Sequence, residues 1–147
     1  VGSEMCIRDR IKSNPPEIGI LNINILENKK KDQLFKNFDN KIIALQWHSY
    51  EVSELNNSEV TILGSSEITK YQIFKYKNHA YGIQFHMEVD ESTIFKWSKV
   101  PELKKTLEKY LGKNSIGKLD LLLRNNIKEM NKNTEKLYKN FKNLMTT

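Results

Sequence analysis

The sequence predicts an α/β fold in which strands come first and helices follow, on three observations. Up to Phe85 the apolar residues alternate or run continuously over strand-length stretches. After Glu88 their spacing changes to three and four residues, the period of a helix with one buried face. Hydrophobic residues make up 38% of the 147 and charged residues 29%, enough apolar material for one packed domain and too much for a disordered chain.

The elements follow in order. Glu17–Leu26, "EIGILNINIL", reads as a strand entered after Pro15-Pro16, with Ile18 and Ile20 in one alternation and Ile23 and Ile25 in another shifted by one. "ENKKKDQ" is a solvated loop, and "LFKNF" a short helical turn directing Leu34, Phe35 and Phe38 inward. "KIIALQWH", Lys41–His48, is continuously apolar, as expected of a strand covered on both faces. "EVTILGSSE" and "YQIFKYKN" are shorter strands, and "HAYGIQF" is the last, with Tyr81, Ile83 and Phe85 on one face. Asp90 is placed to cap a helix whose inner face is Ile94 and Trp97, and Pro101 fits the first turn of another ending near Gly112. From Gly117 the stripe Leu123, Ile127, Met130, Thr134, Leu137, Phe141 and Leu144 marks one long amphipathic helix with a single polar interruption. Its bland reading is a helix docked on its own domain; the alternative is a coiled-coil or partner-binding helix.

The bulk numbers exclude several function classes. No apolar run approaches the roughly 20 residues of a membrane-spanning helix, so no membrane association is expected. No secretory signal is visible at the N-terminus. A single cysteine forms no internal disulfide, and without a Cys/His cluster no metal is expected, which makes a reducing, cytoplasmic setting the default. The net charge of +6 comes from the tail: residues 1–98 carry 12 Lys/Arg against 13 Asp/Glu, and residues 99–147 carry 12 against 5. Of the 24 basic residues 21 are lysine, a bias unlike a surface built for bidentate phosphate contacts by arginine, so no nucleic-acid partner is expected. A helical nucleic-acid binder using this tail is the reading set aside. No glycine-rich phosphate loop is present, and no cofactor is expected.

Three places carry candidate chemistry. His86 and Glu88 follow the last strand; in extended chain, side chains two residues apart return to the same side, so the carboxylate can reach one imidazole nitrogen and leave the other for proton transfer. That is how a base is held in one tautomer, although a histidine at a strand end is also commonly an ordinary hydrogen-bonded residue. Trp47-His48-Ser49-Tyr50 lies just past a buried strand, where a turn would present backbone groups to a small polar ligand or an aromatic anchor would cap the core. Cys6 has Met5 and Ile7 as neighbours, which is not the sharp, small-residue turn that a nucleophilic cysteine on an α/β sheet needs.

"IIALQWHSYEV", "LGSSE", "YQIFKYKNHAYGIQFHMEV" and then Trp97, in this order, resemble the C-terminal half of a class I glutamine amidotransferase domain, of the stand-alone kind similar to the amidotransferase part of GMP synthase. "NPPEIGI" resembles the segment ahead of the family's next strand, and "FKNLM" the subgroup's closing helix, so the likeness runs from about Ile11 to the end. It implies the C-terminal part of an open, mostly parallel, flavodoxin-like sheet flanked by helices. Residues 11–112 would form the amidotransferase half-domain, and residues 113–147 a helical extension packed on it.

The resemblance also implies a function: a cysteine thiolate attacks the side-chain amide of glutamine, ammonia leaves, and a glutamyl thioester is hydrolysed. His86 would be the general base and acid, Glu88 would orient it, and His48, Ser49 and Tyr50 would help hold glutamine, largely through backbone groups. The implied partners are glutamine and a synthase domain or subunit that accepts the ammonia. Met87 stands where the family usually has proline. The family's nucleophile elbow, G-x-C-x-G-x-Q, is absent, and Val1–Arg10, "VGSEMCIRDR", looks like a translated adaptor rather than native sequence. The expectation is a fragment of a Cys-His-Glu enzyme that lacks its nucleophile and is inactive alone; the alternative is a non-catalytic amidotransferase-like binding or regulatory module.

Overall fold

The computed structural model describes residues 10–26, 32–53, 58–78 and 80–146. Cys6 and residues 1–9 of the adaptor-like segment lie outside them, as does most of "ENKKKDQ". Five strands, β1 (Arg10–Ile25), β2 (Lys41–Val52), β3 (Val60–Ser65), β4 (Ile73–Tyr76) and β5 (Ala80–Ile83), precede three helices, α1 (Thr93–Ser98), α2 (Pro101–Leu111) and α3 (Ser115–Met145). The strands form one sheet in the order β2-β1-β3-β4-β5. The α/β class, the flanking helices and the long C-terminal helix are as the sequence predicts. The strand direction differs from the mostly parallel expectation, because every described pairing is antiparallel. Connections such as Ser66–Gln72 are too short for the crossover of a dozen or more residues that a parallel pair requires.

β1 begins earlier than the prolines suggest. Arg10–Lys12 pair with Val52–Tyr50, and the register shifts between Lys12 and Glu17, where Pro15 and Pro16 cannot donate to the ladder. From Glu17 to Asn24 the pairing with β2 is continuous, so the shift in alternation at Ile23 is not a bulge. It records a change in which face is covered. Ile18 belongs with Leu45, Val89, Ile94, Leu107, Leu119, Leu123 and Met130 in a core beneath the helices. Ile23 and Ile25 belong to a second core with Ile42, Ala44, Leu63, Ile73, Phe85 and Met87 on the other face. β2 therefore has both faces covered, as its continuous apolar run predicts.

The turn at Gln33–Phe35 is a short 3-10 helix, started by Asp32, whose Oδ1 accepts from the Leu34 N–H at 2.9 Å. Leu34, Phe35 and Phe38 are all buried. Pro101 opens α2 and Gly112, at φ 82°, closes it, both where the sequence places them. α3 crosses both cores: Leu119, Leu123 and Met130 pack in the first, Leu137 and Leu144 against the second. Phe141 departs from its expected place in the stripe, since it is 48% exposed and borders an open cavity rather than packing in a core.

Candidate active site

The segment Phe85–Asp90 leaves β5 and is fixed from three directions. His86 exchanges two backbone hydrogen bonds with Leu45, inside the buried stretch of β2, each 2.8 Å, which locks its main chain three residues past the end of β5. Phe85 and Met87, on either side, are buried in the second core. Thr134, the polar interruption in the α3 stripe, donates its hydroxyl hydrogen to the carbonyls of Met87 (2.8 Å) and Met130 (3.0 Å). The helix thus satisfies a backbone acceptor that the end of the strand leaves open. Gln84 ties the preceding residue down, donating to the Tyr71 carbonyl at 2.9 Å and accepting from the Val52 N–H at 3.3 Å.

On this frame His86 Nδ1 and Glu88 Oε1 are 2.6 Å apart, the short distance of a charge-assisted bond. The other carboxylate oxygen of Glu88 accepts from the Met87 N–H at 2.9 Å. Desolvation opposes ionisation of Glu88, but the bonds from His86 and from backbone N–H groups outweigh it and hold the carboxyl below its ordinary pKa of 4.5. The sequence-predicted pair is therefore assembled as the spacing implies, with an ionised acid on one imidazole nitrogen. Beside it opens a cavity of about 510 Å³ whose lining includes Tyr81, Phe85, His86, Glu88, Leu137 and Phe141.

Asp90 sits two residues ahead of the helix cap, which is Ser92. Its Oδ1 accepts from the Ser92 N–H at 2.7 Å, and the Ser92 hydroxyl, followed by Lys96, holds its pKa at about 2. The helix it introduces carries Trp97 back over the site. The indole meets the His86 ring edge-on at 5.2 Å and 80°, and meets Trp47 at 5.3 Å and 70°.

His48, Ser49 and Tyr50 are arranged differently from expectation. They do not form a turn but continue β2 to Val52, because Arg10–Lys12 supply partners for that length of strand. Alternation puts the His48 side chain on the face opposite Trp47. There it lies across from Glu17, its direct cross-strand partner, with Nε2 at 3.5 Å from the carboxylate. None of the three lines the cavity beside His86.

Glu17, which sequence reasoning passed over, is 1% exposed and accepts from Thr69 Oγ1 at 2.7 Å and Gln72 Nε2 at 2.8 Å. Burial pushes its pKa up, but donors from His48, Ser66 and Thr69 prevail and hold it below 4.5. The signal was present as a lone carboxylate at the head of an apolar strand. Gln46, on the same face of β2, is fully buried with neither amide atom paired.

Among the described residues no group of three or more His, Cys, Asp or Glu is placed to hold a metal ion, and no helix is long and apolar enough to cross a membrane.

The sequence profile of the family described as "Glutamine amidotransferase class-I" matches residues 8–95, more than half of the chain. No curated protein shows significant similarity to the chain. Among solved structures it is similar to a glutamine amidotransferase from Thermotoga maritima, with 23% identity, a TM-score of 0.69, and 88% of this chain against 53% of that one covered. A glutamine amidotransferase from Methylobacillus flagellatus gives 16%, 0.67, and 92% against 55%. A putative GMP synthase subunit from Thermoplasma acidophilum gives 19%, 0.51, and 86% against 57%. At these identities the likeness is one of fold, and the chain spans about half the length of the structures it matches.

Proposed function

Because the chain belongs to the class-I glutamine amidotransferase family, we propose that it supplies the histidine and glutamate of a Cys-His-Glu triad that hydrolyses the side-chain amide of glutamine. The observation that carries this reading is the His86–Glu88 contact of 2.6 Å at the end of a strand beside an open cavity. Glu88 holds Nδ1, so Nε2 is the nitrogen that meets the nucleophile.

In this mechanism His86 Nε2 takes the proton of a cysteine thiol as the sulfur attacks the amide carbon. The imidazolium, stabilised by Glu88, then gives that proton to the departing nitrogen, and ammonia leaves. His86 next draws a proton from water as the water attacks the glutamyl thioester, the C–S bond breaks, and the imidazolium returns the proton to the departing thiolate as glutamate is released. The family likeness assigns part of the hold on glutamine to backbone groups of His48, Ser49 and Tyr50, although these residues do not line the cavity beside His86. The ammonia passes to a synthase domain or subunit.

The nucleophile comes from outside these 147 residues, since Cys6 is the single cysteine and has no flanking glycines. The chain alone is accordingly inactive, because removing one member of such a unit forfeits most of its catalysis. The same missing elbow is the observation that favours the second reading, a non-catalytic binding or regulatory module. The coding sequence upstream separates them: an in-frame G-x-C-x-G-x-Q supports the enzyme, and a natural start near Ile11 supports the module. The direct test is ammonia release from glutamine by the protein completed with that elbow. His86→Ala is expected to abolish it, and undiminished release in that variant would sink the assignment of the base.

A further inference from the structure

Glu88 grips the His86 ring at one atom, and a single hydrogen bond locates that atom while leaving the ring plane free to turn about it. The second restraint comes from Trp97. Its indole lies edge-to-face against the imidazole at 5.2 Å and 80°, within the range favoured for aromatic pairs. Trp97 does not stand alone, because Trp47 packs edge-on against it at 5.3 Å, and Trp47 lies two residues beyond Leu45, whose backbone clasps His86. α1 is itself anchored by the fully buried Ile94. One stretch of β2 thus fixes the main chain of His86 directly and its ring through two indoles.

We propose that Trp97, backed by Trp47, is a positioning residue that sets the plane of the His86 imidazole and so aims Nε2. Its consequence for turnover rests on the reading of His86 as the base; the brace itself does not.

The brace is tested on the 147-residue chain by proton NMR. The indole ring current displaces the His86 ring signals, which are assigned by their loss in His86→Gln. Trp97→Leu is expected to return them towards free-histidine positions, and Trp97→Phe, which keeps an aromatic ring, to leave much of the displacement. Unmoved His86 signals in a folded Trp97→Leu chain overturn the brace.

If Trp97→Leu does not fold, Trp47→Phe leaves Trp97 as the only tryptophan. Its emission is expected to change when His86→Gln is added, because the ring packed edge-on against the indole is removed. An unchanged emission spectrum in that double variant overturns the brace equally.

In the completed enzyme, Trp97→Leu is expected to lower kcat about 10- to 100-fold at near-constant KM, with Trp97→Phe recovering most of the loss. Unaltered kcat in Trp97→Leu overturns the positioning role. Glutaminase surviving His86→Ala defeats the catalytic reading instead, and leaves the spectroscopic brace standing.

Discussion

His48 and Glu17 face each other across two strands with side chains 15% and 1% exposed, whereas His86 and Glu88 sit two residues apart with side chains 38% and 65% exposed. The same two residue types serve opposite ends. A carboxylate buried like Glu17 persists only when its oxygens are paired, and Thr69, Gln72 and His48 bring β1, β2 and the β3–β4 connection together to do so. That pair is spent on holding the sheet. The exposed pair contributes little net stability, as solvent-facing ion pairs generally do, and its short bond leaves one imidazole nitrogen for chemistry. Burial, rather than the identity of the partners, separates a structural pair from one that is free to react.

The sharpest way to break this contrast is at His86. His86→Ala in the completed enzyme is expected to cost at least 10³-fold in ammonia release. The stability of the 147-residue chain should fall by no more than about 1 kcal/mol, the worth of one aromatic edge contact and a solvent-facing ion pair. Glu17→Ala is expected to do the reverse to the fold. It removes the buried acceptor of Thr69 Oγ1 and Gln72 Nε2 and the charge facing His48, and should lower stability by about 3 kcal/mol, read from the midpoint of urea unfolding of the same chain. Glu88→Gln keeps the shape but removes the charge opposite the imidazolium, and glutaminase assays should show a loss of about a hundredfold in kcat.

The smallest effect sharpens the comparison through pH. The folded-state pKa of Glu17 lies below the ordinary 4.5, so its contribution to stability is complete above that value and is lost as pH falls through the folded pKa. Thermal melts below about pH 4.5 should decline in the wild type, and Glu17→Gln should show a shallower decline over the same window.

What could be read in advance follows the range of the interaction. His86 and Glu88 were legible because strand geometry relates residues two apart without reference to the rest of the fold. The ends of α2 were legible because Pro101 and Gly112 act on their own backbone. Thr134 was visible as a break in an apolar stripe, but the carbonyl it serves is 47 residues away and could not be named. The expected turn at His48–Tyr50 became strand because Arg10–Lys12 lie alongside it, a pairing beyond any local rule.

The sequence by itself determined the order of strands and helices, the two-faced burial of β2, the amphipathic α3 and the His86–Glu88 pair, all consequences of periodicity or of neighbours a few residues apart. The tertiary structure decided the antiparallel order β2-β1-β3-β4-β5, the burial of Glu17 against His48, and the approach of Trp47 and Trp97 to His86. These depend on register and packing between distant segments, where each contact is set by the sum of all the others and no local pattern specifies it.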